Sequence, residues 1–442
     1  MPSLLALGAA LAAVPALAAP AGGDALSIVT DLTTDIGQRM AGTPREAAAR
    51  DWAVARLRAL GFANVRVETF PIPGWLRGEE KAAITAPVPQ KLAVTALGFS
   101  GATPPQGISA ELVYFPTLEA LKAVPDGSLK GKVAFVDHAF IASQDGAGYG
   151  IFGQPRRIGP VVAAQKGAAA LLIRSAGTGH MRDPHTGYST QPKGAPLPSG
   201  AVSIPDAELI ARLAAKGQPL TVSLTLTPKD VGTLTSGNVI ADLPGRDPKL
   251  APILLGCHLD SWDLGTGAID DGAGCAIITA AALQASQSGP LARGIRVLWA
   301  GTEETGGFGG AAYAKAHAGE PHAVVIESDS GADRVYASEL TFADADKALA
   351  EKIAGELARM GITRGHDRAE GGEDVGFIAA QQKTAVIDLR QDATRYFDWH
   401  HTSDDTLDKI DPAQLQQNVD AFVAVLKILG NYTGAIGAVK PE

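Results

Sequence analysis

From about Asn238 onward the chain switches regularly between short apolar runs and longer helical stretches, and that alternation is its strongest folding constraint. The runs "APILLG", "GIRVLWA", "HAVVIES" and "TAVIDL" are strand candidates, while Gly272 to Gln287, Gly309 to His317, Asp344 to Met360 and Asp411 to Leu429 read as helices. Uniformly apolar strands separated by helices imply a sheet covered on both faces. The expected class is therefore α/β, a three-layer αβα sandwich with a mostly parallel mixed sheet. Reactive groups in such sheets sit beyond the carboxyl ends of the strands.

The earlier chain has a different texture. Residues 24–61 are helical in pattern and "NVRVETFPI" alternates like a strand. From about Leu92 to Pro228, short strands ("AELVYF", "GKVAFVDH", "AALLI", "LTVSLTL") alternate with loops rich in Gly and Pro, with two helical stretches between them. A length of 442 residues exceeds what one hydrophobic core usually serves. The expected organisation is one unit built from 24–100 and 229–435, interrupted by a β-rich unit over 101–228. His138, His180 and His185 fall in the interrupting unit, where no stretch gathers acids and histidines as densely as the later chain does, so they read as loop or core residues rather than ligands.

A net charge of −9 and the lack of any Lys/Arg cluster argue against nucleic acid or an anionic membrane surface as partners. Residues 1–19 are apolar, end in the small residues "ALAA" and are followed by Pro20, which reads as a cleaved export signal and predicts a secreted or periplasmic protein. Only two cysteines occur, Cys257 and Cys275, and the sequence leaves their pairing open.

Four acidic clusters each follow a strand: "HLDSWDLGTGAIDDGAG" from His258, "TEETGG" with Glu303 and Glu304, "ESDSG" with Glu327 and Asp329, and "HHTSDDT" with His400, His401, Asp404 and Asp405. Carboxylates converging at one sheet edge repel one another unless a cation neutralises them. A set of His and carboxylate ligands without thiolate suits Zn²⁺ first, with Mn²⁺ and Co²⁺ as alternatives, and two ions need roughly five ligands when one carboxylate bridges them. Asp271 reads as the cap of the following helix.

In order and spacing these motifs resemble the M28 family of co-catalytic zinc exopeptidases, most closely its plasma glutamate carboxypeptidase (carboxypeptidase Q) branch, over about Asn238 to Gly430. The segment "ELVYFPT…LKGKVAFVDHAF…VVAAQKGAAALLIRSAG" resembles a protease-associated (PA) domain more loosely. The resemblance implies the zinc exopeptidase fold, two zinc ions per chain, short peptide substrates and a homodimer. It implies that His258, Asp270, Glu304, Asp329 and His401 bind metal, with Asp270 bridging, and that Glu303 is the general base. Asp260 is suited to accept the second N–H of the His258 imidazole, and Asp405 to play a similar part near His401. His400 stands where many relatives carry an oxyanion-donating Tyr, and a histidine can donate the same bond. Asp374 and Arg390 are candidates for holding a substrate amine or carboxylate. The rival readings are a metallocarboxypeptidase, a broader aminopeptidase, a one-zinc glutaminyl cyclase and a non-catalytic binding protein on the same scaffold.

Overall fold

The computed structural model describes residues 22–440, so the leader expected over residues 1–19 lies outside the described residues. Its main sheet has eight strands, in the order Ala63–Leu76, Lys229–Leu243, Ile295–Ala300, Ile253–His258, Val324–Glu327, Ala385–Gln391, Val335–Thr341 and Thr363–Arg364. The four central strands run parallel, and antiparallel partners flank them on both sides. This is the expected mixed α/β sheet.

The apolar strands are apolar because both faces are covered. Along Ile253–His258, Ile253, Leu255 and Cys257 pack into the core that holds the helices Ala273–Ala285 and Pro412–Asn431, while Leu254 faces the helices Phe308–Ala316 and Gly376–Gln382. The helix Gly376–Gln382 was not anticipated, because seven residues after a glycine-rich stretch are too few to show helical periodicity. Helix Ala273–Ala285 is buried along almost its whole length and starts hard against the sheet. Gly274 permits this, since a Cβ there would collide with the Ser328 carbonyl and the Asp271 carboxylate. Cys257 and Cys275 form a disulfide between that strand and that helix.

The chain leaves the main sheet at Leu76 and returns at Lys229, and these two residues are cross-strand partners. Everything between them forms an excursion whose ends meet. Its own eight-stranded sheet runs Gln90–Leu92, Glu80–Ala86, Leu220–Leu226, Ile108–Phe115, Val133–Val136, Ala170–Arg174, Ser199–Val202 and Val94–Ala96. Three of these strands precede residue 101, where the sequence reading began the insertion. They belong here because Glu80–Ala86 pairs antiparallel with Leu220–Leu226, a partner more than a hundred residues away. Among the described residues no helix is long and apolar enough to cross a membrane.

The buried His322, bonded through Nε2 to the Tyr313 hydroxyl at 2.9 Å, gives a stability prediction far from the acidic clusters. Burial pushes its pKa down to about 4. A depressed histidine pKa means that the unfolded chain binds the proton first, so stability present above about pH 6.5 is lost as pH falls toward 4. Between pH 7 and pH 5 this group alone removes roughly 2 kcal/mol. Urea midpoints at the two pH values should differ by less in His322→Gln than in the wild type; an equal difference would rule the group out.

Candidate metal centre

The functional side chains arrive from separate strand ends. His258 closes the strand Ile253–His258, Glu303 and Glu304 follow Ile295–Ala300, and Asp329 follows Val324–Glu327. Asp270 stands on the loop before helix Ala273–Ala285, and His400 and His401 follow the short helix Tyr396–Trp399. The fold brings all of the sequence-predicted ligands together. His258 Nε2 lies 3.0 Å from Asp270 Oδ1 and 3.5 Å from Asp329 Oδ1, while His401 Nε2 lies 3.2 Å from Asp270 Oδ2 and 2.7 Å from Glu304 Oε2. Asp270 therefore presents one oxygen to each histidine.

These donors fit a pair of cations. Asp270 Oδ2 and Asp329 Oδ1 are buried yet make no hydrogen bond, although a histidine nitrogen lies close to each. Atoms that converge without bonding one another are arranged around a common point rather than paired. The electrostatics agree. Burial, together with the neighbouring carboxylates, pushes Glu303, Glu304 and Asp271 well above the usual carboxylate range. Burial also opposes ionisation of Asp270, but His400, His258 and His401 outweigh it and hold that carboxyl well below its usual value. Such a crowd of buried acids is what bound cations would relieve.

The supports differ in detail from the sequence reading. The His258 Nδ1 faces the backbone carbonyl of Asp260 at 2.9 Å, whereas the Asp260 carboxylate is 3.8 Å away and instead accepts the Glu303 N–H at 3.1 Å. The backbone carbonyl wins because the turn after the strand aims it at the ring. Asp405 accepts the N–H groups of Ala268 and Ile269, both at 2.8 Å, so it steadies the Asp270 loop and not His401. Asp271 accepts from Gly274 N at the helix start, as expected, and also from His258 N. Asp374 is buried with both carboxylate oxygens free of hydrogen bonds, and Arg390 is held by Glu339 at 2.8 Å. The buried Arg39 was missed. It donates to the carbonyls of Leu259 and Gly267 at 2.7 and 2.9 Å, stitching the loop that carries the acids. Thr302 and His401 adopt left-handed backbone, φ 72° and 60°, strain of the kind that collects at functional sites.

The second sheet's unit forms one wall of the cleft, a cavity of about 640 Å³ lined by Asp270, Glu303, Glu304, His400 and His401 on one side and by Tyr149, Arg156 and Arg157 on the other. His185 lies buried behind the cleft, a core residue as expected, yet it backs the site: its Nε2 lies 3.2 Å from His400 Nδ1, and His400 Nε2 lies 3.3 Å from Asp270 Oδ2. Burial, together with the neighbouring histidines and Arg156, holds both His185 and His400 well below the ordinary histidine pKa. Nothing local in "DPHTGY" signals this contact, which depends on the docking of two units.

Residues 238–426 match the family model described as Peptidase family M28. The chain is 34% identical over 399 residues to carboxypeptidase Q of Bos taurus, spanning 89% of this chain and 82% of that protein. It is 32% identical to carboxypeptidase Q of Homo sapiens with the same coverage. A crystal structure of a peptidase M28 precursor from Shewanella amazonensis superposes with a TM-score of 0.92 at 41% identity, covering 96% of this chain and 97% of that one. A zinc aminopeptidase from Bacillus subtilis shares the fold at a TM-score of 0.65 and 20% identity, covering 95% and 98%. On the likeness along its length and the acid and histidine cluster at its sheet edge, the chain belongs to peptidase family M28 and is a metallopeptidase.

Proposed function

We propose that this protein is a two-zinc exopeptidase that hydrolyses dipeptides or removes N-terminal residues from short peptides. The observation that carries this reading is Asp270, which faces His258 with one carboxylate oxygen and His401 with the other. His258, Asp270 and Asp329 would hold one ion, and His401, Asp270 and Glu304 the second. When bound, two zinc ions supply Lewis-acid polarisation of the scissile carbonyl and make water more acidic.

The chain's own groups do the rest. Glu303, whose N–H is fixed by Asp260, takes a proton from the attacking water and returns it to the leaving amine. His400 donates from Nε2 toward the developing oxyanion, and His185 stands behind it at Nδ1. No step needs a covalent intermediate. The leader over residues 1–19 supports export to the periplasm or the medium.

Elemental analysis of the purified protein, with a dipeptide panel before and after chelation, tests the reading. About two zincs per chain and at least a 100-fold loss of cleavage on chelation are expected, with recovery on adding zinc back. One zinc with cyclisation of N-terminal glutamine would replace it with the cyclase, and no metal with no turnover would leave a binding protein.

A further inference from the structure

His400 is enclosed by other rings. Its ring stacks on that of His401 at 3.6 Å, and the centroids of Tyr149, Tyr396 and Phe397 lie 5.1, 4.8 and 5.3 Å away. Close packing of this kind fixes how the ring is turned. What it leaves open is which nitrogen carries the proton, because a neutral imidazole has one N–H and one lone pair.

The partner of one ring nitrogen settles the state of the other. On one side, His400 Nε2 faces Asp270 Oδ2 at 3.3 Å, and an ionised carboxylate only accepts, so this contact places the proton on Nε2. Asp270 is also the carboxylate proposed to serve both ions. In the loaded enzyme its lone pairs are committed, and the other side of the ring must hold the tautomer. There, His185 Nε2 lies 3.2 Å from His400 Nδ1. The second nitrogen of His185, Nδ1, is buried without a hydrogen-bond partner. Buried N–H groups left unpaired are rarer than unpaired acceptors, so the His185 proton belongs on Nε2, where it donates to His400 Nδ1. The Tyr149 hydroxyl, 3.4 Å from the same Nε2, can accept from it and does not oppose this assignment. The place of His185 is built by its backbone: its N–H donates to Ser175 Oγ at 3.0 Å, and the N–H of Thr186 donates to the His401 carbonyl at 2.9 Å.

We propose that His185 is a positioning residue that fixes the tautomer of His400: by donating from Nε2 to His400 Nδ1, it keeps the His400 proton on Nε2, the atom that meets the oxyanion. This deepens the peptidase reading and rests on the oxyanion role of His400. In the other tautomer His400 would turn a lone pair toward a developing negative charge and oppose it. His185 belongs to the excursion between Leu76 and Lys229, so the second sheet's unit supplies a group on which the chemistry at the first sheet depends.

His185→Phe keeps a ring but has no N–H to give. In the zinc-loaded enzyme it should lower kcat on dipeptides at least tenfold with KM within threefold, because the loss falls on the transition state. His185→Gln, whose amide can donate, should recover most of that loss. His400→Ala should cost roughly 100-fold. Adding His185→Phe to it should cost at most a further twofold, since a residue that acts through another has nothing to act on once that one is gone. Two independent structural losses would multiply instead. ¹⁵N NMR of the zinc-loaded wild type with labelled histidine, His400 being assigned from the His400→Ala spectrum, reads the tautomer without any change at His185. The expected signature is a protonated Nε2 and a bare Nδ1. A proton on His400 Nδ1, alone or together with Nε2, or losses that multiply, would overturn the positioning role. Unchanged kcat in His400→Ala would overturn the oxyanion reading and this role together, whereas a full effect at His400 with none at His185 would overturn this role alone.

Discussion

Glu303→Gln should lower kcat on dipeptides by about 10³-fold while both zinc ions stay bound, the scale expected for loss of a general base. The substitution keeps the shape and the backbone bond to Asp260 but removes the capacity to accept a proton. Glu303 differs from its neighbour Glu304 in what it touches. Glu304 lies 2.7 Å from His401 Nε2, inside the donor set, whereas Glu303 lines the open cleft and lies within ion-pair distance of neither His258 nor His401. Two adjacent carboxylates can therefore divide the labour, one holding metal and one remaining free. KM should change little, because the loss falls on the reacting step and not on substrate binding. A variant that loses zinc would make Glu303 a ligand, and one that keeps kcat within threefold would remove it from the chemistry.

The parts of this protein that were legible in its sequence are those carried by local pattern. Strands such as Ile253–His258 are apolar on both faces, so the α/β class follows from short-range regularities; three of the four acid clusters follow a strand within a few residues, the fourth follows the short helix Tyr396–Trp399, and the individual ligand assignments came from the motifs' resemblance to a family. What was hidden depends on distant partners. Arg39 reads as an ordinary basic residue at a turn until the loop 259–267 folds over it. His185 and Arg156 lie in unremarkable loop and helix sequence, and gain meaning only when the second unit docks against His400 and His401. The start of that unit was misplaced because Glu80–Ala86 is a plain alternating strand, and nothing within it tells which sheet will accept it. Asp260 shows a subtler limit. Sequence can place a carboxylate two residues from a histidine, but the competition between that side chain and its own carbonyl is settled by the turn geometry.

Asp270→Asn should weaken both metal sites at once, which separates a shared ligand from a terminal one. An asparagine side chain keeps one acceptor oxygen and replaces the other with a donor NH₂. In this geometry one oxygen faces His258 Nε2 at 3.0 Å and the other His401 Nε2 at 3.2 Å, so whichever way the amide turns, an N–H points at one ion position. The ion on the remaining side loses the negative charge that compensated it. Zinc titration should therefore show two constants, both weakened at least tenfold, and kcat at saturating zinc should fall by on the order of 10⁴. His401→Ala is the natural contrast. Of the ligand carboxylates, its ring approaches Glu304 and one oxygen of Asp270, so it should strip one ion and leave the affinity of the other within a few-fold. If Asp270→Asn also weakened just one constant, Asp270 would be a terminal ligand, and the two-ion mechanism would lose the bridge on which it rests. The gap between these two variants in the weaker zinc constant is thus a direct measure of how far one carboxylate serves two metals.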